Sequence, residues 1–393
     1  MMKSLSIFLF CLFAGWSSSV AQVVPSTTIT VADSTLVFPL QSQHVHGSSV
    51  VQLPDGDLLL AWFEGSGERT ADDVRIMGAR LKKGKRQWSK PFELADTPYL
   101  PDCNPVLFMA GNKLFLVWIA VQANKWEHSI LRIRSTSTYT GEGAPTWQWQ
   151  DNILLKPDET FAAEVAGKLR MLPPLQSGWS EYAPQYDKLI IAASQDITKR
   201  STGWMTRIKP LVFTDGRILL PLYSDGFNLS MLAISDDGGA SWQPSRPIVG
   251  RGPIQPALAR RKDGSIVAYM RDSGDAPTRV QLSESRDGGK SWSVARKTEI
   301  PNGASVDVVV LDDGRWAMLG NDVDDGRYRL SLYLSADEGK TWPIRFAVED
   351  DVSKSGRYSY PSLIQGMDGR LHMTYSFHLD NDRKAIKYVV VTP

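Results

Sequence analysis

The chain has 393 residues, with Lys+Arg 44 against Asp+Glu 43, and 42% of it is apolar. That balance supplies a large core and gives no reason to expect nucleic acid or an anionic membrane as partner. Only two cysteines are present, Cys11 and Cys103, so no disulfide framework holds the fold, while 13 Trp and 12 Tyr suit a β-rich protein that handles sugars and equally one whose repeated turns are pinned by Trp.

Met1-Met2-Lys3-Ser4, an apolar run over residues 5–15 and the small-residue sequence Ser19-Val20-Ala21 have the form of a secretory signal peptide. Cleavage after Ala21 would leave Gln22 as the first mature residue and Cys103 as the only thiol. The apolar run is too short for a membrane span, and no later stretch approaches the needed length. Residues 22–393 are therefore expected to form one soluble, monomeric domain, exported to the periplasm or secreted.

A strand over residues 35–40 is expected next. A recurring unit follows: a polar residue, an apolar strand, an Asp-Gly turn and a second apolar strand. It begins at His46 before Asp55-Gly56, and at Asn104-Pro105 before the degenerate turn Gly111-Asn112. It returns at Lys209-Pro210 before Asp215-Gly216, Gln255-Pro256 before Asp263-Gly264, Ser305 before Asp313-Gly314, and Tyr360-Pro361 before Asp368-Gly369. Asp-Gly between apolar strands is a strong hairpin signal, and the spacing suits four-stranded units. Six units result. The stretch 151–207, with Pro173-Pro174, Gly178-Trp179 and Tyr182, exceeds what one connection needs and predicts extra strands or a cover near the axial mouth. A seventh unit inside it is the competing count.

Three segments share one pattern at a period of fifty residues: Ser235-Asp236-Asp237-Gly238-Gly239-Ala240-Ser241-Trp242, Ser285-Arg286-Asp287-Gly288-Gly289-Lys290-Ser291-Trp292 and Ser335-Ala336-Asp337-Glu338-Gly339-Lys340-Thr341-Trp342. Asp and Ser bond nearby backbone groups, Gly takes the positive φ, and Trp packs under the turn. Such a period marks like units that bury their apolar faces only by stacking. The first two units keep only Trp88 after a Lys-rich turn and Trp147 after a Gly- and Pro-containing one, so their turns must be held otherwise.

The pattern resembles the Asp box of the sialidase superfamily, and the resemblance extends over nearly the whole mature chain. It implies an all-β, six-bladed β-propeller with the boxes on outer hairpins. Inner strands of a propeller line its axis, so His46, Asn104, Lys209, Gln255, Ser305 and Tyr360 are expected to ring the funnel mouth, the default place for a ligand.

Tyr269-Met270-Arg271 with Arg279-Val280, and Arg327-Tyr328-Arg329, are similar to the sialidase segments that supply carboxylate-binding arginines. Tyr358-Ser359-Tyr360-Pro361-Ser362-Leu363 is similar to the segment of the nucleophilic tyrosine and puts it at Tyr360. Glu68-Arg69-Thr70-Ala71-Asp72-Asp73-Val74 resembles the loop of the acid/base aspartate, with Asp73 first and Asp72 next. Arg69, Gln255 and Asn104 join Arg271 and Arg327 as candidate substrate-binding residues. The chain departs from the family twice: His46 stands where a third arginine is usual, and Gln255 where a glutamate activates the tyrosine.

These residue types suit the chemistry. Guanidinium groups meet a carboxylate at two points, a tyrosine can attack an anionic sugar, and a carboxyl of raised pKa can protonate a departing oxygen. Three functions stand open. One is an exported exo-acting glycoside hydrolase that removes a terminal acidic sugar, sialic acid being the named candidate, with Asp73 and Tyr360 catalytic. Another is a lyase that cleaves uronate-containing glycans by β-elimination, with His46 and Tyr360 moving protons. The third is a carbohydrate-binding propeller without catalysis. No cofactor or metal motif is visible.

Overall fold

The computed structural model describes residues 29–173, 183–380 and 383–393. The predicted signal segment, together with Pro174, Gly178, Trp179 and Tyr182, lies outside them. The described residues form six antiparallel sheets, the blades of a propeller. Blade 1 runs His44–Gln52, Leu58–Gly65, Arg75–Leu81 and Phe92–Ala95, and blade 2 runs Asp102–Ala110, Lys113–Val121, Ser129–Thr136 and Trp149–Asn152. Blade 3 has an inner edge broken into Met205–Thr206 and Leu211–Val212, both paired with Ile218–Ser224, and continues through Leu229–Ser235 and Gln243–Pro244. Blades 4 and 5 start at Pro253–Arg260 and Asp307–Val310, and blade 6 at Arg357–Gln365.

Blade 6 is completed by the N-terminal strand Thr30–Leu36, which pairs antiparallel with Lys384–Thr392. The expected strand over residues 35–40 is thus displaced toward the N-terminus. Its apolar residues Val37 and Phe38 are buried anchors rather than strand members, and Phe38 packs on Trp62 at 5.0 Å between ring centroids. The paired edge is mostly polar and exposed, so hydrophobic patterning does not reveal it.

Successive blades stack apolar faces, and Trp62, Trp118 and Trp316 are among the largest fully buried side chains. The three boxes share one geometry. In the first, Ser235 Oγ donates to Asp237 at 2.8 Å and accepts from Gly239 N, while Asp237 also accepts from Ser241 N and Ser241 Oγ. Those bonds hold the Asp237 carboxyl at a pKa of about 2. Gly339 of the third box takes φ +77°, and a Cβ there would lie 2.1 Å from Tyr269 Oη. Blade 1 has Arg80 instead of a box. Its buried guanidinium donates to Gly143 O and Tyr139 O of the blade 2 hairpin, each at 2.6 Å.

The stretch between blades 2 and 3 is helical, not stranded, among the described residues. Helix α1 spans Glu159–Met171, α2 spans Ala183–Gln195 and α3 spans Ile197–Ser201. Asp158 caps α1 by accepting from Thr160 N, Lys168 and Arg170 occupy its last turn, and Phe161, Val165 and Leu169 form its buried face. That spacing is a helical signal present in the sequence. No seventh blade occurs among the described residues.

Candidate active site

Four inner strands slip register on their neighbours, between His46 and Ser49, Cys103 and Val106, Ile254 and Ala257, and Ser359 and Ser362. Within each bulge one residue is left-handed: Gly47 at φ 63°, Asn104 at 52°, Gln255 at 56° and Tyr360 at 54°. A bulge re-aims its side chain, and a non-glycine residue held left-handed costs on the order of 1 kcal/mol or more. Asn104, Gln255 and Tyr360 share this backbone position in blades 2, 4 and 6. In blade 1 the matching residue is Gly47 rather than His46. A Cβ at Gly47 would come 2.7 Å from the Phe63 ring, and His46 stands one position earlier, opposite Phe63.

Two members of the expected ring are absorbed by structure. Lys209 donates to Asp307 and to Val308 O, tying blade 3 to blade 5. Ser305 is fully buried.

Tyr360 is the centre of the remaining cluster. Arg271 Nη1 donates to its hydroxyl at 3.2 Å, and the guanidinium carbons of Arg327 and Arg207 each lie 5.1 Å from its ring centroid. Burial pushes the phenol up, but Arg271, Arg327 and Arg207 outweigh it, so its pKa falls below the usual tyrosine value. Arg207 is a residue that sequence reasoning missed, because it falls at the end of the stretch read as an insertion. Buried beneath the tyrosine, it donates to Tyr360 O at 2.6 Å and to Ser48 O at 3.3 Å, joining blades 6 and 1 across the axis.

His46 meets the Tyr360 ring edge-on at 4.3 Å between centroids, and its Nδ1 is 2.7 Å from Ser376 Oγ. His378 and His44 stand behind it at 5.3 and 5.5 Å. Burial, then the neighbouring histidines and arginines, lowers the His46 pKa well below the ordinary value and keeps the imidazole neutral. Tyr223 accepts from Asn104 Nδ2 at 3.1 Å, and Gln255, beside it, leaves its own Oε1 buried without a hydrogen-bond partner among the described residues. The residue at the family's glutamate position therefore stands beside Tyr223 in this chain, and Arg271 donates to the Tyr360 hydroxyl.

Asp73 stands exposed at the rim, where its carboxylate accepts from Ser66 N and Ser66 Oγ. Asp72 accepts from Asn124 Nδ2 at 3.3 Å, and the same amide holds Arg69 O at 2.8 Å. Arg69 lies over Trp126 at 5.4 Å. Glu68 of this loop is near enough for its charge to oppose ionisation of Tyr360. Burial raises the Glu68 pKa against the opposing pull of Arg69 and Arg327. The sequence pattern points to the aspartates four and five residues later, and Glu68 draws notice only from its burial in the folded loop.

A cleft of about 770 Å³ opens beside the funnel, between Glu127 and His128 of blade 2, Thr198 and Thr202 of the helical stretch, and Gly226 and Phe227 of blade 3. Its wall is fixed by a close approach: Gly203, at φ +72°, lies where a Cβ would be 2.5 Å from Glu127 O. Among the described residues no group of three or more His, Cys, Asp or Glu is arranged to hold a metal ion, and no helix is long and apolar enough to cross a membrane.

Solved structures resembling this one include a protein of unknown function from Dyadobacter fermentans, at 16% identity, TM-score 0.67, with 92% of this chain and 98% of that one covered. The leech intramolecular trans-sialidase matches at 13% identity and TM-score 0.65, over 92% of this chain and 70% of that one. The intramolecular trans-sialidase from Ruminococcus gnavus matches at 14% identity and TM-score 0.61, over 88% and 94%. At such identities the likeness is one of fold. No curated protein matches the sequence. The BNR repeat-like domain model matches residues 56–172 and 195–373, most of the chain. With its six sialidase-type blades, the chain belongs to the BNR repeat-like family.

Proposed function

We propose that the protein is an exported exo-acting glycoside hydrolase that removes a terminal acidic sugar, with a sialic acid first among the candidates. The observation that carries this reading is the Tyr360 phenol, depressed in pKa and gripped by Arg271 among guanidinium groups from three blades. Arg271 and Arg327 would hold the substrate carboxylate by planar two-point contacts. Arg207 is committed to two backbone carbonyls and stays beneath the phenol as a fixed cation, so Tyr360 retains one activating charge after the carboxylate has occupied the others.

Tyr360, having lost its phenolic proton to solvent, attacks the anomeric carbon as the phenolate, and the bond to the leaving oxygen breaks as that oxygen takes the Glu68 proton. Water then displaces the tyrosine, losing its proton to the Glu68 carboxylate. The phenolate and the acid are restored together. Asn104 and Gln255 shape the pocket around Tyr223, and Arg69 lines its rim. The leaving group runs into the cleft between blades 2 and 3.

A β-elimination of uronates is the second reading, favoured by the 4.3 Å contact of a neutral His46 with Tyr360. In it His46 removes the proton next to the carboxylate, and Tyr360 gives one to the leaving oxygen. Incubating the protein with a fluorogenic sialoside and, separately, with uronate-ending oligosaccharides separates the two. Free sugar acid supports hydrolysis, whereas an ultraviolet-absorbing unsaturated product supports elimination. If neither forms and the sugars only bind, both enzymatic readings are wrong.

A further inference from the structure

The outer hairpin of blade 1 departs from its counterparts in charge. In blades 3 to 5 the hairpin aspartates are consumed by their own turns. Blade 1 instead carries Lys82, Lys83, Lys85, Arg86 and Lys90, five cations within nine positions of a chain whose net charge is +1. Lys82 is engaged, with Nζ 2.8 Å from both Asp57 and Gly141 O. Lys83, Lys85, Arg86 and Lys90 are exposed, and their side chains make no hydrogen bond or ion pair among the described residues.

The hairpin is firmly mounted. Arg80 fastens it to blade 2, and the buried Trp88 packs edge-on against Tyr388 at 5.2 Å. A groove of about 680 Å³ runs along one side, lined by Lys85, Arg86 and Lys90 with Phe92 and Glu142. A second, of about 530 Å³, lies on the other side, where Lys83, Lys85 and Arg86 face Arg370 and Asp368 of blade 6. This second groove also touches Gly56 and Met367, in the turns after the inner strands of blades 1 and 6, so the hairpin sits at the end of the propeller away from Tyr360.

Uncompensated cations held in place beside grooves attract a polyanion by releasing its condensed counterions. We propose that this hairpin is a second, non-catalytic binding site for a linear anionic polysaccharide bearing carboxylate or sulfate groups. The exposed positions of the turn, Lys83, Gly84, Lys85, Arg86 and Gln87, carry no apolar side chain, and Met367 of blade 6 is the one exposed large apolar residue lining the grooves among the described residues, too little for a bilayer anchor, which favours a polymer over a lipid surface. Bound this way, the protein leaves its funnel open to a different glycan end. The inference is independent of the reaction proposed for the funnel.

The test is retention on polygalacturonate and on dextran sulfate, with neutral dextran as the control, at rising salt. Wild-type protein is expected to bind one or both polyanions and not dextran, with affinity falling steeply as salt rises. The variant Lys83→Glu, Lys85→Glu, Arg86→Glu should bind at least roughly tenfold more weakly. Lys85→Ala with Arg86→Ala, a milder change of two exposed residues, should weaken binding in the same direction if the triple variant folds poorly. Arg271→Ala should bind like wild type. Equal binding by the hairpin variants, loss in Arg271→Ala, or capture by anionic vesicles without capture by either polysaccharide would each overturn the assignment.

Discussion

Arg271 Nη1 donates to the Tyr360 hydroxyl across 3.2 Å, tying the second strand of blade 4 to the bulged inner strand of blade 6 at the funnel floor. Arg271→Lys keeps the charge and loses the planar fork. It is expected to cost about 2 to 4 kcal/mol of transition-state stabilisation in kcat/KM, comparable to removing one preorganised donor, with little change in Tm. Tyr360→Phe should abolish turnover. Parent-like kinetics in both variants would place the chemistry elsewhere.

Glu68 and Asp73 share a loop but not an environment. Glu68→Gln should remove the alkaline limb of the kcat/KM–pH profile, where the acid loses its proton, and reduce kcat by roughly a hundredfold or more, within the range of general acid–base contributions. Asp73→Asn changes a rim turn and should leave the profile's shape intact. The reverse outcome, with the limb lost in Asp73→Asn, would return the acid role to the aspartate.

The histidines behind Tyr360 make stability depend on pH. Burial, followed by mutual repulsion and Lys384, lowers His44 to about 4. Burial also lowers His378 to about 4, against the bond its ring makes to Val45 O. Unfolded histidine titrates near 6.5, so between these limits the unfolded chain binds more protons than the native one. The stabilisation is complete above about pH 6.5 and is lost as pH falls through 4, by at most on the order of 3 kcal/mol per histidine. Urea midpoints measured near pH 7 and pH 4.5 should differ accordingly, and the difference should shrink in His44→Asn with His378→Gln. Midpoints that do not move with pH in wild type would contradict this account.

Gly339→Ala places a Cβ against Tyr269 Oη in a backbone conformation that L side chains rarely adopt. A loss of about 2 to 4 kcal/mol is expected from overpacking and backbone strain combined. Gly111→Ala is the comparison, since nothing lies within 4 Å of the added atom. Its cost should be confined to the left-handed φ, about 1 kcal/mol. Chemical denaturation of the two variants checks the difference.

Cys103 is fully buried, and burial raises its thiol pKa well above the usual value. Native protein should resist alkylation at neutral pH and react once unfolded. Cys103→Ser should keep turnover within a few-fold, and a complete loss would reveal a thiol role.

Much of the fold was legible because each blade repeats local chemistry. Asp-Gly turns, the Ser-Asp-Gly-Trp boxes and the polar residue opening each inner strand depend on neighbours within a few positions. The site is less local. His46 is one residue from its expected register because the bulge falls on Gly47, where the Phe63 ring leaves no room for a Cβ. Arg207 acts through carbonyls more than 150 residues away in sequence, and no short pattern marks such a bond. Glu68 differs from Asp72 and Asp73 only in how the loop folds over the funnel. Lys209 looked like a mouth residue from its Lys-Pro pair, yet it found a buried carboxylate on Asp307.

The pairing of Thr30 with Thr392 puts the two extremities of the described chain side by side in one sheet. During synthesis blades 1 to 5 can each gather their own strands as they emerge, but blade 6 cannot pair Thr30–Leu36, which precedes blade 1, until Lys384–Thr392 has been made. Until then both flanks of the incomplete ring are open sheet edges. Until it is filled, the Lys384–Thr392 edge invites association between chains, because a neighbour's N-terminal strand fits it as well as the molecule's own.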